Sequence, residues 1–142
     1  MSCKYRILLA EDDKADQEII RRSFDRINLN YELNIVENGE VFLRFLEEIE
    51  KGKQQEPDLI LLDLNMPKID GRQALEKLEQ EKIINRVIII LTTSKNKEDM
   101  DFAYSAGVKS FITKPSNLVE FNKMIEKLKT YWLDTVALPT RK

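Results

Sequence analysis

Leu59-Ile60-Leu61-Leu62-Asp63-Leu64-Asn65-Met66-Pro67 is an apolar run that stops at a carboxylate and gives way to a proline-containing loop. Three other apolar runs stop in a comparable way. Arg6-Ile7-Leu8-Leu9-Ala10 meets Glu11-Asp12-Asp13, Val87-Ile88-Ile89-Ile90-Leu91 meets Thr92-Thr93-Ser94, and Ser110-Phe111-Ile112-Thr113 meets Lys114-Pro115. Short apolar runs bounded by turn-forming residues read as buried strands. As parallel strands they would bring acids, a hydroxyl and an amine to one edge of a sheet. That set suits divalent metal and phosphoryl chemistry.

The intervening stretches have helical spacing. The pattern predicts a strand at Tyr5–Ala10, a helix from Lys14 to Arg26, a strand at Tyr31–Glu37 and a helix from Glu40 to Lys51. It continues with a strand at Leu59–Asp63, a helix after Gly71 carrying Ala74, Leu75 and Leu78, and a strand at Val87–Leu91. A helix from Lys97 to Ala106 should stop at Gly107, followed by a strand at Ser110–Thr113 and a last helix from Leu118 to Tyr131. Strict strand–helix alternation argues for a parallel α/β sheet with helices on both faces, joined by right-handed crossovers.

The chain has 142 residues, the scale of one domain that needs no disulfide or metal staples to fold. Formal net charge is -2, so there is no basic excess of the kind nucleic-acid and anionic-membrane binders show. The lone cysteine, Cys3, reads as a reduced thiol near a chain end. No secretory core or membrane-spanning stretch is evident, and the chain reads as cytoplasmic. It contains no histidine. That removes His-based acid–base catalysis and the usual Ser-His triad, and any phosphohistidine donor must be another molecule.

In an open parallel sheet, ligands bind beyond the carboxyl ends of the strands, where strand order reverses. Helix N-termini also point there and add partial positive charge. Glu11, Asp12 and Asp63 would crowd together, and two unit charges 4 Å apart cost about 4 kcal/mol at an effective dielectric of 20. Raised pKa values would relieve the repulsion, and so would a hard cation such as Mg²⁺. Beside Mg²⁺ and Lys114, Asp63 is placed to attack phosphorus and form an aspartyl phosphate. Asp12 would hold the metal directly, Glu11 through water, and the backbone carbonyl of Asn65 would add a ligand. Thr92 and Lys114 would each bind a phosphoryl oxygen. Each element has a plainer reading on its own: Asp13 as a helix cap, Asp63 as a turn residue, Thr92-Thr93-Ser94 as helix-start chemistry, Lys114-Pro115 as a surface turn. Their coincidence at four strand ends favours the site.

With these residues in place, the chain resembles the receiver domain of two-component response regulators over about residues 4–130. Glu11-Asp12, Asp63, Thr92, Lys114-Pro115 and the loop Asp63-Leu64-Asn65-Met66-Pro67-Lys68-Ile69-Asp70-Gly71 carry the resemblance. It implies a doubly wound, flavodoxin-like five-stranded sheet of order 2-1-3-4-5, an order illustrated by a chemotaxis receiver. It also implies Asp63 as the phosphoacceptor, Glu11 and Asp12 as the Mg²⁺ pocket, Thr92 and Phe111 as the switch pair, Lys114 as the phosphate-sensing lysine, and a cis Lys114–Pro115 bond. The donor would be a sensor histidine kinase.

Two departures stand out. Thr93 occupies a position where the family has a very small residue, which predicts restricted access to Asp63 and a slowly lost phosphoryl group. Thr93→Ala should shorten its half-life; an unchanged half-life would reject the idea. The ending Tyr131-Trp132-Leu133, with Val136, Leu138 and Pro139, is similar to that of single-domain regulators paired with phytochromes, and so is Leu91-Thr92-Thr93-Ser94. The expected organisation is one receiver domain over residues 1–142, with 131–142 as a C-terminal extension and no attached output domain. The extension, with the face of the fourth helix, last strand and last helix, would serve a homodimer or partner contact; the plainer reading folds it back on its own helix. A receiver-like adaptor that is never phosphorylated, and an aspartate-nucleophile phosphohydrolase, are the alternatives. The second is disfavoured because Asn65 stands where a second acid would protonate the leaving group.

Overall fold

Ile7, Leu8, Leu9 and Ala10 are all buried, and they alternate between two cores: Leu8 and Ala10 pack on one face, Ile7 and Leu9 on the other. Only a strand covered on both faces buries every successive side chain. In the computed structural model, which describes residues 4–81 and 86–138, this is β1 (Tyr5–Ala10). The other strands are β2 (Tyr31–Val36), β3 (Leu59–Leu62), β4 (Ile88–Thr92) and β5 (Ser110–Thr113). They form one parallel sheet of order β2-β1-β3-β4-β5, as the resemblance implied. β3 and β4 are buried throughout, whereas β5, at the edge, is half-buried.

The helices are α1 (Lys14–Arg26), α2 (Gly39–Glu50), α3 (Gly71–Gln80), α4 (Lys97–Ala106) and α5 (Leu118–Leu128). α1 packs with α5, while α2, α3 and α4 pack in sequence. Phe24 of α1 and Phe121 and Ile125 of α5 fill one core; Phe42, Leu75 and Ala103 fill the other. Each helix opens on an Asp or Asn whose side chain accepts first-turn N–H groups: Asp13, Asn38, Asp70, Asn96 and Asn117. Asp13 is thus the cap that the plain reading proposed, while its neighbours build the site. Gly107 closes α4 with φ 107, the left-handed stop expected of it.

Three expectations change. Strand ends shift by a residue, as at β2, which ends at Val36 because its pairing with β1 stops at Ala10↔Val36; the Glu37 carboxylate beyond it binds Lys14 and Gln17. The α-helical pitch of α5 ends at Leu128, not Tyr131, and widens into a π-helical segment, Lys129–Thr135. There Val136 N–H donates to Tyr131 O at 2.9 Å. An i→i+5 turn returns Leu133 over Leu128, where α pitch would carry it off the core; Leu133 is 5% exposed. Finally, no described peptide bond is cis, so Lys114–Pro115 is trans. An X–Pro bond prefers trans by only about 0.5–1 kcal/mol, so its isomer is set by surroundings that the dipeptide does not encode. Cys3 and Pro139 lie outside the described residues.

Candidate phosphoryl and metal site

The sheet brings the four strand ends together. Asp63 N–H donates to Ala10 O at 3.0 Å, and Lys114 N–H to Thr92 O at 2.7 Å. These bonds extend the ladders by one residue and aim the next side chains over the edge. β1 is flanked by β2 and β3, so the pocket lies at the point where strand order reverses.

Glu11, Asp12 and Asp63 each offer an oxygen within 4.8 Å of the others. Glu11 is 1% exposed and Asp63 5%, while Asp12 faces solvent. Burial pushes the Glu11 carboxyl up to about 7; the hydrogen bond from Lys114 opposes that rise and the Asp63 charge adds to it. Gln17 anchors the Glu11 backbone by donating to its carbonyl at 2.7 Å and to Glu37 Oε2 at 2.8 Å.

Lys114 is the centre of the site. Its ammonium meets Glu11 Oε1 at 2.5 Å, Asp16 Oδ2 at 2.7 Å and Asp63 Oδ2 at 3.2 Å. Burial alone would lower its pKa; hydrogen bonds to Asp16 and Glu11, with the charges of Asp63 and Glu11, outweigh burial and raise it. The residue is a fixed cation. Thr92 is fully buried, and its Oγ1 accepts from Asn65 Nδ2 and from Ser94 N–H, each at 3.4 Å. Asn65 N–H donates to Asp63 Oδ1 at 3.1 Å. Phe111 is half-buried on edge strand β5 and packs against the α2–α4 core. Its N–H donates to the Tyr104 hydroxyl at 3.0 Å. Thr93 is exposed beside this edge.

Three residues were not singled out from sequence. Asp16, three residues past the Asp13 cap, reaches Lys114 from the first turn of α1; a carboxylate one turn beyond the acidic pair was the available signal. Arg72 and Asp99 pair across 27 residues of chain, and nothing local announces that.

A doubly wound sheet with an acidic, lysine-braced pocket at its switch point has the build of a signalling receiver. The model of the response regulator receiver domain matches residues 7–126, and the chain belongs to that family. It is similar to response regulator Rcp1 of Synechocystis sp., 38% identical over 135 residues that span 94% of this chain and 92% of that protein. Its fold superposes on the phosphorylated cyanobacterial phytochrome response regulator RcpA with TM-score 0.88 at 32% identity, covering 96% of this chain and 99% of that one. The Mn²⁺-bound form of Rcp1 gives TM-score 0.85 at 36% identity, covering 95% and 99%. The clustered carboxylate oxygens at Glu11, Asp12 and Asp63 fit a hard divalent cation.

Proposed function

We propose that the chain is a receiver that takes a phosphoryl group from a sensor histidine kinase onto Asp63. The observation that carries the reading is the convergence of Lys114 on Asp63 and Glu11, with Asp12 in the same oxygen cluster. An Asp63 carboxylate oxygen bonds to phosphorus as the P–N bond of a donor phosphohistidine breaks; the electron pair stays on the imidazole nitrogen, which is then protonated. The donor is another molecule, since this chain has no histidine. Glu11, Asp12, Asp63 and the Asn65 carbonyl would hold Mg²⁺, which supplies charge neutralisation of the pocket and of the phosphoryl oxygens. Lys114 and Thr92 bind those oxygens.

The consequence is a change of surface. Thr92 moves toward the phosphoryl group, Phe111 turns into the space behind it, and the α4–β5–α5 face alters its affinity for partners. The chain acts as a phosphoacceptor assisting its own phosphorylation and dephosphorylation, not as an enzyme on an external metabolite. Similarity to phytochrome regulators makes a phytochrome-like kinase, acting in the cytoplasm, the favoured donor. Exposed Tyr104, Leu118, Val119 and Tyr131 offer apolar area for a homodimer on that face and the C-terminal extension, with residues 1–142 as one receiver unit.

Intact mass after incubation with acetyl phosphate and Mg²⁺ tests the core of this reading. The unmutated chain should gain one phosphoryl group and Asp63→Asn none. No gain in either would favour the unphosphorylated adaptor. Repeated turnover of a chromogenic phosphate ester would favour the phosphohydrolase.

A further inference from the structure

Arg72, in the first turn of α3, lies outside the acidic pocket. Its guanidinium grips Asp99 of α4 with two parallel bonds, Nε to Oδ1 at 2.6 Å and Nη2 to Oδ2 at 2.8 Å. Asp99 also accepts from Ser94 Oγ at 2.8 Å. Hydrogen bonding to Arg72 holds the Asp99 carboxyl below its usual range, so the pair stays ionised. The same Nη2 reaches Asn65 Oδ1 at 3.3 Å. Asn65 Nδ2 and Ser94 N–H then both donate to Thr92 Oγ1. Arg72, Asn65, Thr92, Ser94 and Asp99 thus close a ring around one buried hydroxyl.

The direction of each bond decides what that hydroxyl can do. A guanidinium has donors only, whereas a primary amide has an acceptor at one end and donors at the other. Arg72 therefore fixes Asn65 with its oxygen toward the guanidinium and its NH₂ toward Thr92. Thr92 Oγ1 receives two N–H groups, and among the described residues no acceptor takes its own proton. Reversed, the Asn65 oxygen would face Thr92 and take that proton. The bonds of 3.3–3.4 Å are long, as resting sites often show before the reacting group arrives.

We infer that Arg72, braced by Asp99, is a positioning residue for phosphoryl transfer: it orients the Asn65 amide so that the Thr92 hydroxyl proton stays free for a phosphoryl oxygen. This rests on Asp63 being the phosphoacceptor. Because Asp99 belongs to α4, the ring also joins the hydroxyl to the helix whose surface is proposed to change.

The test is a double-mutant cycle with Arg72→Met and Thr92→Ala, reading the rate constant of phosphorylation at saturating acetyl phosphate with Mg²⁺, alongside the half-saturating concentration. Arg72→Met alone should slow the saturated rate roughly tenfold, within the cost of misplacing a reacting group, and leave the half-saturating concentration within a factor of about two. In the Thr92→Ala background, Arg72→Met should change neither. Equal loss in both backgrounds would overturn the inference, because a merely structural tie between α3 and α4 acts regardless of Thr92. If Arg72→Met fails to fold, Arg72→Lys enters the same cycle, keeping the charge but losing the fork. Should the unmutated chain gain no phosphoryl group, the Asp63 reading falls first; a normal gain with an additive cycle rejects only the role of Arg72.

Discussion

Lys114 has three N–H donors and meets three carboxylates: Glu11, Asp16 and Asp63. Its side chain is 6% exposed, so water does not compete freely for them. A phosphoryl group on Asp63 must therefore draw Lys114 from a filled set, and Asp16 is the partner outside the Glu11, Asp12 and Asp63 oxygen cluster. Asp16→Asn should strengthen the lysine–phosphoryl pair by about 1 kcal/mol, the order of one net hydrogen bond, and lengthen the phosphoryl half-life severalfold. An unaltered half-life would show that Asp16 does not compete. Glu11 carries the pH dependence. Its folded pKa of about 7 lies above the ordinary 4.5, so the folded chain binds an extra proton between those values. The stability contributed by neutral Glu11 is present below 4.5 and is lost as pH rises through about 7. Without divalent metal, thermal melts should fall across that window, and Glu11→Gln should flatten the fall.

At the scale of elements, the β3–α3 connection sets the distance between Asp63 and the helix that follows. Gly71 N–H donates to Leu64 O at 3.0 Å, folding the start of α3 onto the loop. A Cβ on Gly71 would stand 2.4 Å from Asp63 O and 2.7 Å from Leu64 Cα. Both are backbone atoms, so the loop itself would have to shift. Gly71→Ala should destabilise by about 1–3 kcal/mol, as overpacking does, and should slow phosphorylation by moving Asp63. A variant that melts lower yet is phosphorylated at the normal rate would show that the shift bypasses the site.

Across the whole molecule, the C-terminal segment joins the core. Leu133 and Leu138 are 5% and 4% exposed and pack with α1, α5 and the sheet, and the Tyr5 hydroxyl donates to Leu133 O at 2.9 Å. Cutting the chain after Tyr131 would therefore confound dimerisation with unfolding. Substitution separates the two. Leu133→Ala should cost about 2–5 kcal/mol of stability, the range for a buried leucine, in chemical denaturation. Tyr131→Ala, at a residue 56% exposed, should leave the melt nearly unchanged and weaken self-association in sedimentation. Equal association of Tyr131→Ala and the unmutated chain would exclude Tyr131 from an interface.

The strand–helix order, the two-sided burial of the central strands and the grouping of Glu11, Asp12, Asp63, Thr92 and Lys114 were legible in the sequence. Each depends on local information: apolar periodicity, capping residues, and polar residues placed directly after strands whose parallel pairing shares one edge. The family resemblance added the strand order but misassigned the Lys114–Pro115 isomer. Tertiary structure alone decided the partners. Asp16 meets Lys114 across 98 residues and Arg72 meets Asp99 across 27, in a chain with many other acids and bases that the same local rules could have paired. Tertiary structure also turned the tail inward, through a π-helical turn that helical periodicity does not anticipate. Periodicity selects which face of an element is buried; which side chains meet across elements depends on distances that exist only once the layers are packed.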